Sequence, residues 1–291
     1  MDATAQPSVC AVVVTHNREE LLERCLGHLR AQSRRPDKIL VVDNASTDGT
    51  AALLARQDDL EVLRLPVNAG GAGGFRRGLE NAYTAGYDWM WLLDDDTFAG
   101  EHALEHLLNG AALAPNPPSV MTSQVRWRDQ SLHPMNRPWL RLSPRGEFAQ
   151  AAASGLTPIR AATFVSTMIR REAVAEHGLP PGHYFVWLDD IEYTARVLRE
   201  GNGYLAPQSE VVHWTPRAYN TVSDTRGRFY FKVRNQLWLL RGSSFTGLER
   251  IRYAQSWVRS IATYLRRSPS RRKAVSTVLK GLRDGVRREP G

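Results

Sequence analysis

The chain has 291 residues, of which 42% are hydrophobic and 23% charged, with a formal net charge of +8. This composition provides for a buried core, and no run of about 18 apolar residues occurs, which excludes a membrane-spanning helix. The two cysteines, Cys10 and Cys25, sit in apolar patterns without zinc spacing; with a short N-terminus that is polar up to Ser8 they suit a reduced, cytoplasmic protein without disulfides or signal peptide.

Residues 9–14 are a continuous, β-branched apolar run and predict a buried strand. Thr15-His16-Asn17-Arg18 ends it, and residues 19–32 carry Leu21, Leu22, Cys25, Leu26 and Leu29 at helical spacing. Residues 38–42 predict a second strand, followed by the polar turn 43–50 and a helical Ala/Leu stretch, and residues 61–65 predict a third. A glycine-rich loop from Asn68 leads into a predicted helix over 75–85, and residues 89–93 predict a fourth strand ending in Asp94-Asp95-Asp96. The alternation predicts an α/β fold, a mainly parallel sheet flanked by helices, with polar clusters at the carboxyl ends of its strands. Prolines predict an irregular connection carrying short strands over 111–158. Residues 162–170 predict a strand, Asp189-Asp190 open a helix to Glu200, and 204–206 and 211–213 predict short strands. From Phe229 the pattern is helical and increasingly basic: between Glu249 and Glu289 twelve Arg and Lys stand against three acids, a local net of +9, so the body is near neutral.

Four clusters could carry chemistry. Three adjacent carboxylates, Asp94-Asp95-Asp96, repel one another unless protonated or neutralised, and a hard divalent cation with oxygen ligands would neutralise them. The same triplet also reads as a solvated strand end that caps the next helix. Asn68-Ala69-Gly70-Gly71-Ala72-Gly73-Gly74-Phe75 lets backbone approach a ligand and opens a helix whose N-terminus favours phosphate, or is a plain flexible turn. The dinucleotide fingerprint fails there, because Arg76 stands at its third glycine, and the phosphate-binding lysine loop fails because Leu79 follows Gly78. In Tyr184-Phe185-Val186-Trp187-Leu188-Asp189-Asp190 aromatics that could stack on a sugar precede two acids that could act as a base, or merely cap a helix. His213 ends an apolar run, where a lone histidine is usually structural; the other seven histidines show no metal pairing.

Taken in order, Val12-Val13-Val14-Thr15-His16-Asn17-Arg18, Val41-Val42-Asp43-Asn44-Ala45-Ser46-Thr47-Asp48-Gly49-Thr50, the Asn68–Phe75 stretch, Trp91-Leu92-Leu93-Asp94-Asp95-Asp96, Trp187-Leu188-Asp189-Asp190-Ile191-Glu192-Tyr193, His213 and Phe229-Tyr230-Phe231-Lys232-Val233-Arg234-Asn235 resemble family-two glycosyltransferases of the GT-A fold. The resemblance covers residues 9–240 and is nearest to bacterial galactofuranosyltransferases and rhamnosyltransferases of cell-wall and polysaccharide assembly.

The resemblance implies a metal-dependent, inverting transfer of a sugar from a nucleotide-sugar donor to a glycan or polyprenyl-linked glycan acceptor. Thr15, Arg18 and Asp43 would line the nucleobase and ribose pocket, Asp43 accepting the uracil or thymine N–H, with Asn44 supporting that turn. Asn68, Gly70, Gly71 and Phe75 would border ribose, diphosphate and donor sugar. Asp94, Asp96 and His213 would hold Mn²⁺ or Mg²⁺, Asp95 would contact the donor, and Asp190 would be the general base. Many relatives have Glu-Asp where this chain has Asp189-Asp190, so Asp189 stands as the second candidate base. Trp187 and Tyr184 are candidates for acceptor contact. Galactofuranose from a UDP donor is favoured over rhamnose from a dTDP donor by the Asn68–Phe75 stretch and the Asp triplet. A catalytically inactive sugar-binding module would have lost Asp190 or the metal acids, and both are present; a nicotinamide oxidoreductase would need the glycine turn that Thr15-His16-Asn17-Arg18 replaces.

The expected organisation is a catalytic domain over 1–240 and a basic helical extension over 241–291. In the extension Ile251, Val258, Ile261, Leu265, Val275, Val278, Leu279 and Leu282 could form apolar stripes among arginines that run to Arg287 and Arg288. Such a pattern suits peripheral contact with an anionic membrane, at the inner face of the cell membrane, or else packs on the body with its arginines solvated. No nucleic-acid motif accompanies it.

Overall fold

The computed structural model describes residues 6–141, 145–217 and 227–287; Met1–Ala5 of the polar N-terminus and Arg288 of the basic tail lie outside them. The four early apolar runs are β1 (Val9–Thr15), β2 (Lys38–Asp43), β3 (Leu60–Arg64) and β4 (Trp89–Asp94), all mutually parallel, β1 pairing with β2 and β4. Every residue of β1 is buried, as a central parallel strand covered on both faces requires. The later strands are β5 (Thr97–Ala99), β6 (Pro118–Arg126), β7 (Trp139–Leu140), β8 (Thr157–Ala161), β9 (Thr167–Arg170) and β10 (Asn202–His213). The sheet order is β3-β2-β1-β4-β9-β6-β10-β8-β7, with β5 on β10. β9 runs antiparallel between β4 and β6, so the parallel half is joined to a mixed half.

Alternate β1 residues feed two cores. Val9, Ala11 and Val13 pack with α1 (Glu19–Arg30), α2 (Thr50–Leu54), α4 (Ala103–Leu113) and α5 (Arg145–Ala153). Cys10, Val12 and Val14 pack with α3 (Gly70–Ala85), α6 (Arg171–His177) and α7 (Asp189–Val197). Each fully buried aliphatic side chain contributes about 1.5–3 kcal/mol, so these two faces dominate the stability of the sheet. Both cysteines are free and buried.

Four expectations are corrected. The third helix starts at Gly70, inside the glycine loop, because Gly74 and Gly78 let it lie directly on Val14 and Val12 of β1. The stretch 111–158, expected to carry only short strands, holds the nine-residue β6 and the helix α5 as well as the short β7. Residues 162–170 are not one strand: Ala162–Ser166 form a connection, with Ser166 at φ +58°, between β8 and β9. The two short strands after Gly201 are a single twelve-residue β10, bulged between Ala206 and Glu210.

The chain ends in α8 (Phe229–Arg241), α9 (Gly247–Arg267) and α10 (Arg271–Arg287). Phe229 and Val233 of α8 pack with Tyr264 of α9 and with Ala274 and Val278 of α10. Phe245 and Tyr253 pack against Ala161 and Ile191 of the body. The expected boundary after residue 240 falls one residue before the end of α8, which is itself built into the body. No helix among the described residues is long and apolar enough to cross a membrane.

Candidate active site

The polar clusters lie at the carboxyl ends of β2, β1 and β4, which are neighbours in the sheet. Asp43 ends β2 and is buried. Its Oδ1 accepts from Ser46 N at 2.8 Å, while Oδ2 has no hydrogen-bond partner and lies 3.5 Å from Arg64 Nε. A buried carboxylate oxygen left open in this way is an acceptor awaiting an N–H. Asn44 holds the glycine turn: its Nδ2 donates to Gly70 O and its Oδ1 accepts from Ala69 N, both at 2.8 Å. Asn68 is exposed, with Oδ1 accepting from Gly70 N at 2.8 Å. Gly70 stands at φ +72°, and a Cβ there would collide with the Phe185 carbonyl. Gly71, next to it, faces open space.

The strand register builds the acidic centre. β10 runs antiparallel to β5 with His213 opposite Thr97, which brings the ring onto the residue before it, Asp96. His213 Nε2 is 3.1 Å from Asp96 Oδ1 and 3.9 Å from Asp94 Oδ2, and the three ligand atoms lie within 4.8 Å of one another. Asp96 Oδ1 is buried without a hydrogen bond. His213 Nδ1 donates to Asn136 Oδ1 at 2.8 Å, and Asn136 is itself oriented by donating to Thr163 Oγ1 at 2.9 Å. Because a carbonyl oxygen only accepts, this bond leaves the Nε2 lone pair toward the two carboxylates, the arrangement a metal-ligating histidine needs. Two carboxylates and one imidazole in this geometry fit Mn²⁺ or Mg²⁺.

Charge is balanced locally. Burial pushes Asp96 up, but His213 and Arg18 outweigh it and hold the carboxyl well below the ordinary range. Burial and Asp96 hold Asp94 above that range, an effect tempered by water because its side chain is 37% exposed. Burial, opposed by Arg18, pushes Asp95 up to about 6. Burial pushes His213 down, but Asp96 and Asp94 more than offset it and raise it.

Asp189 and Asp190 open α7 and face differently. Asp189 is buried and Asp190 is half-buried. Burial, only partly offset by the Ile191 N–H, and then the charge of Asp94 push Asp190 up to about 7. Burial and Asp190 hold Asp189 well above the carboxylate range. Both carboxyls feel the charge of Asp94, and Asp190 is the more accessible of the two. The segment before it is strained: Phe185, Trp187 and Leu188 stand at φ +67°, +66° and +73°. Asn235 of α8 clamps it, Nδ2 donating to the carbonyls of Tyr184, Val186 and Trp187 at 3.0, 3.0 and 2.8 Å, and Arg234 donates to Tyr184 O at 2.8 Å.

The structure shows where several expected contact residues sit. Phe75 is a core residue, packed on Phe164 at 5.0 Å. Tyr184 is 2% exposed, packed with Ala72 and Trp238, so its ring has no free face for an acceptor; Trp187 is half-buried, with the Arg228 guanidinium over its ring at 5.1 Å. Asp95 is buried with both oxygens engaged, by Thr15 Oγ1 at 2.9 Å and Arg18 at 3.0 Å, so it organises the cleft wall. Thr15 is likewise buried, and Arg18 reaches Asp95 and, at 2.6 Å, Asp96. Asn136, in a proline-rich stretch without periodicity, carried no sequence signal; Asn235 carried one only as part of a longer motif.

Comparison with known proteins places this geometry. Residues 10–178 match the model of glycosyl transferase family 2. Galactofuranosyltransferase GlfT1 of Mycolicibacterium smegmatis is 33% identical over 96% of this chain and 94% of its own length. The N-acetylglucosaminyl-diphospho-decaprenol L-rhamnosyltransferase of Mycobacterium tuberculosis is 26% identical over 73% of this chain and 77% of its own. Among solved structures, S. aureus TarS 1-349 in complex with UDP-GlcNAc superposes with a TM-score of 0.62, covering 96% of this chain and 80% of that one; at 14% identity it shows the shared GT-A fold alone.

Proposed function

Because the chain belongs to glycosyl transferase family 2, we propose that it is a galactofuranosyltransferase that moves the sugar from a UDP donor to a glycan or lipid-linked glycan hydroxyl, with inversion and with a divalent cation. The observation that carries the metal-dependent reading is the Asp94–Asp96–His213 group, preoriented through Asn136. The sugar rests on the likeness to a galactofuranosyltransferase across nearly the whole chain, against a more distant rhamnosyltransferase.

In this reading the open Oδ2 of Asp43 accepts the uracil N–H, and the glycine turn held by Asn44 brings backbone and the open flank of Gly71 to the ribose and diphosphate. Asp94, Asp96 and His213 hold the cation, which when bound neutralises charge on the departing nucleoside diphosphate. Asp190, raised toward neutrality, takes the proton of the acceptor hydroxyl as that oxygen attacks the anomeric carbon. Trp187 offers its ring to the acceptor sugar. Base and leaving group act on opposite faces of the donor sugar, so configuration inverts without a covalent intermediate. A nucleotide-release screen tests this: UDP should appear with UDP-galactofuranose and a glycan or polyprenyl-linked acceptor. Release from dTDP-rhamnose in its place would overturn the sugar assignment, and turnover in excess chelator after metal stripping would overturn the cation.

A further inference from the structure

The helix α10 has two apolar faces where a packed helix needs one. Its inner face seats on α8 through small residues: a Cβ at Gly281 would lie 2.8 Å from Val233 Cβ, and one at Gly285 2.8 Å from Leu237 Cδ1. Ala274 and Val278 complete that contact. On the opposite side Val275, Leu279 and Val286 are 46%, 59% and 63% exposed. At 3.6 residues per turn these three share an arc of about 80° with Arg272 and Arg283. Lys280 and Arg287 flank it, both exposed. Arg272, Val275, Ser276, Leu279, Lys280 and Arg283 line an open depression of about 310 Å³ on this face. The single acid of the helix, Asp284, is turned aside, accepting from Tyr230 Oη at 2.7 Å and Arg283 Nε at 2.9 Å. The same division recurs on α9, where Tyr253, Trp257 and Tyr264 pack inward while Leu248, Ile251 and Val258 stay exposed beside Arg252 and Arg259.

Thus the apolar residues of the tail do not all pack on the body: Ile261, Leu265, Val278 and Leu282 do, and Ile251, Val258, Val275 and Leu279 do not. Solubility alone accounts for the arginines but not for valines and leucines held among them. A second copy placed on this face would bring like charges together. A nucleic acid would meet aliphatic side chains in the middle of its contact, with no aromatic ring to stack on. A surface that accepts apolar side chains at its centre and cations around them is an anionic bilayer, whose acyl boundary takes the first and whose headgroups take the second.

We infer that the outward faces of α10 and α9 dock this protein on anionic membrane, with the catalytic body held beside the bilayer. The inference is independent of the sugar transferred. The test is co-flotation of the full chain with phosphatidylcholine vesicles, with and without phosphatidylglycerol, at low and physiological salt. Binding should require the anionic lipid and weaken with salt. Arg272→Gln with Lys280→Gln should weaken partition roughly fivefold per cation removed. Val275→Asn with Leu279→Asn should weaken it at either salt concentration, while nucleotide release on a soluble acceptor stays unchanged for both pairs. The inference is overturned if the protein ignores anionic vesicles, if both variant pairs bind as the parent does, or if neutral vesicles bind equally. It is overturned as well if sedimentation shows that the Val275/Leu279 pair abolishes a self-association while vesicle binding persists, which would make a second copy the occupant.

Discussion

Replacing Asn235 with Leu removes one side-chain amide and keeps nearly the same volume. That amide is the donor to three carbonyls of the segment that presents Asp190. Three non-glycine residues there occupy the left-handed region, each at a cost of about 1–2 kcal/mol, so the segment holds about 3–6 kcal/mol of strain. The two N–H groups of that amide are shared among the three carbonyls, and removing them leaves the Val186 and Trp187 carbonyls unsatisfied at about 1–3 kcal/mol each, so the clamp is worth about 3 kcal/mol. The clamp and the strain are therefore comparable, and without the clamp the segment relaxes and carries Asp190 out of register. A loss of about 3 kcal/mol in the transition state corresponds to a fall in kcat of about 10²-fold. Metal affinity should change little, because Asp94, Asp96 and His213 belong to the sheet and its edges, and donor affinity should fall less than kcat, because the clamped segment meets the donor side only where Phe185 backs the Gly70 turn. Asn235→Asp should be worse than Asn235→Leu, since it sets a carboxylate against three carbonyl oxygens. Initial rates at saturating donor, with calorimetric titration of UDP and Mn²⁺, read the two effects separately. An unchanged kcat in Asn235→Leu, or a donor affinity that falls in step with kcat, would refute the clamp.

Asn136→Leu should weaken Mn²⁺ binding about 10- to 100-fold by freeing His213, measured by calorimetry with no sugar donor present; unaltered affinity would show that the ring is held by packing alone. Asp96→Ala should weaken metal and nucleotide binding together, and equal retention of both would count against the proposed ligand set. Asp190→Asn should keep UDP binding and lose about 10²–10⁴-fold in turnover; if Asp189→Asn is the crippled variant instead, the base is the buried neighbour. A base must be deprotonated to act, so kcat/KM of the metal-loaded enzyme should rise with pH through an acid limb set by Asp190, which burial holds above the usual carboxylate range. A limb at the usual carboxylate pH would contradict that assignment.

The parallel half of the sheet was legible because strands buried on both faces must be apolar through their interiors, and β1, β2 and β4 are, with polar residues only at their ends. β6 was hidden because its interior is partly polar: Thr122 and Ser123 are buried on hydroxyl partners, Thr167 at 2.8 Å and Ser166 at 2.6 Å. The start of α3 was misplaced because glycine is a poor helix former in isolation, and only contact with Val14 and Val12 shows why the helix needs it. Within the site, Asp94, Asp96 and His213 could be named from the sequence, but their convergence depends on the β5–β10 register, which no local pattern encodes. Phe75 and Tyr184 stand inside motifs that border ligands, yet their rings turn to the core. Membership of a motif does not fix the direction of a side chain.

The position of β10 also has a consequence for the order in which this protein comes into being. Strands β1 to β3 pair with near neighbours and can associate early, and β4 then adds to β1. β10 is the last strand made, and it must be laid beside β6 before its terminal histidine can reach an acidic cluster synthesised far earlier. Closing so long a loop is slow relative to the local pairings. The proposed site is thus assembled last: a chain that ends before β10 lacks His213, one corner of the proposed metal group. A cation bound there would pin the latest strand to the earliest part of the sheet, so ligand and fold would stabilise each other by mass action.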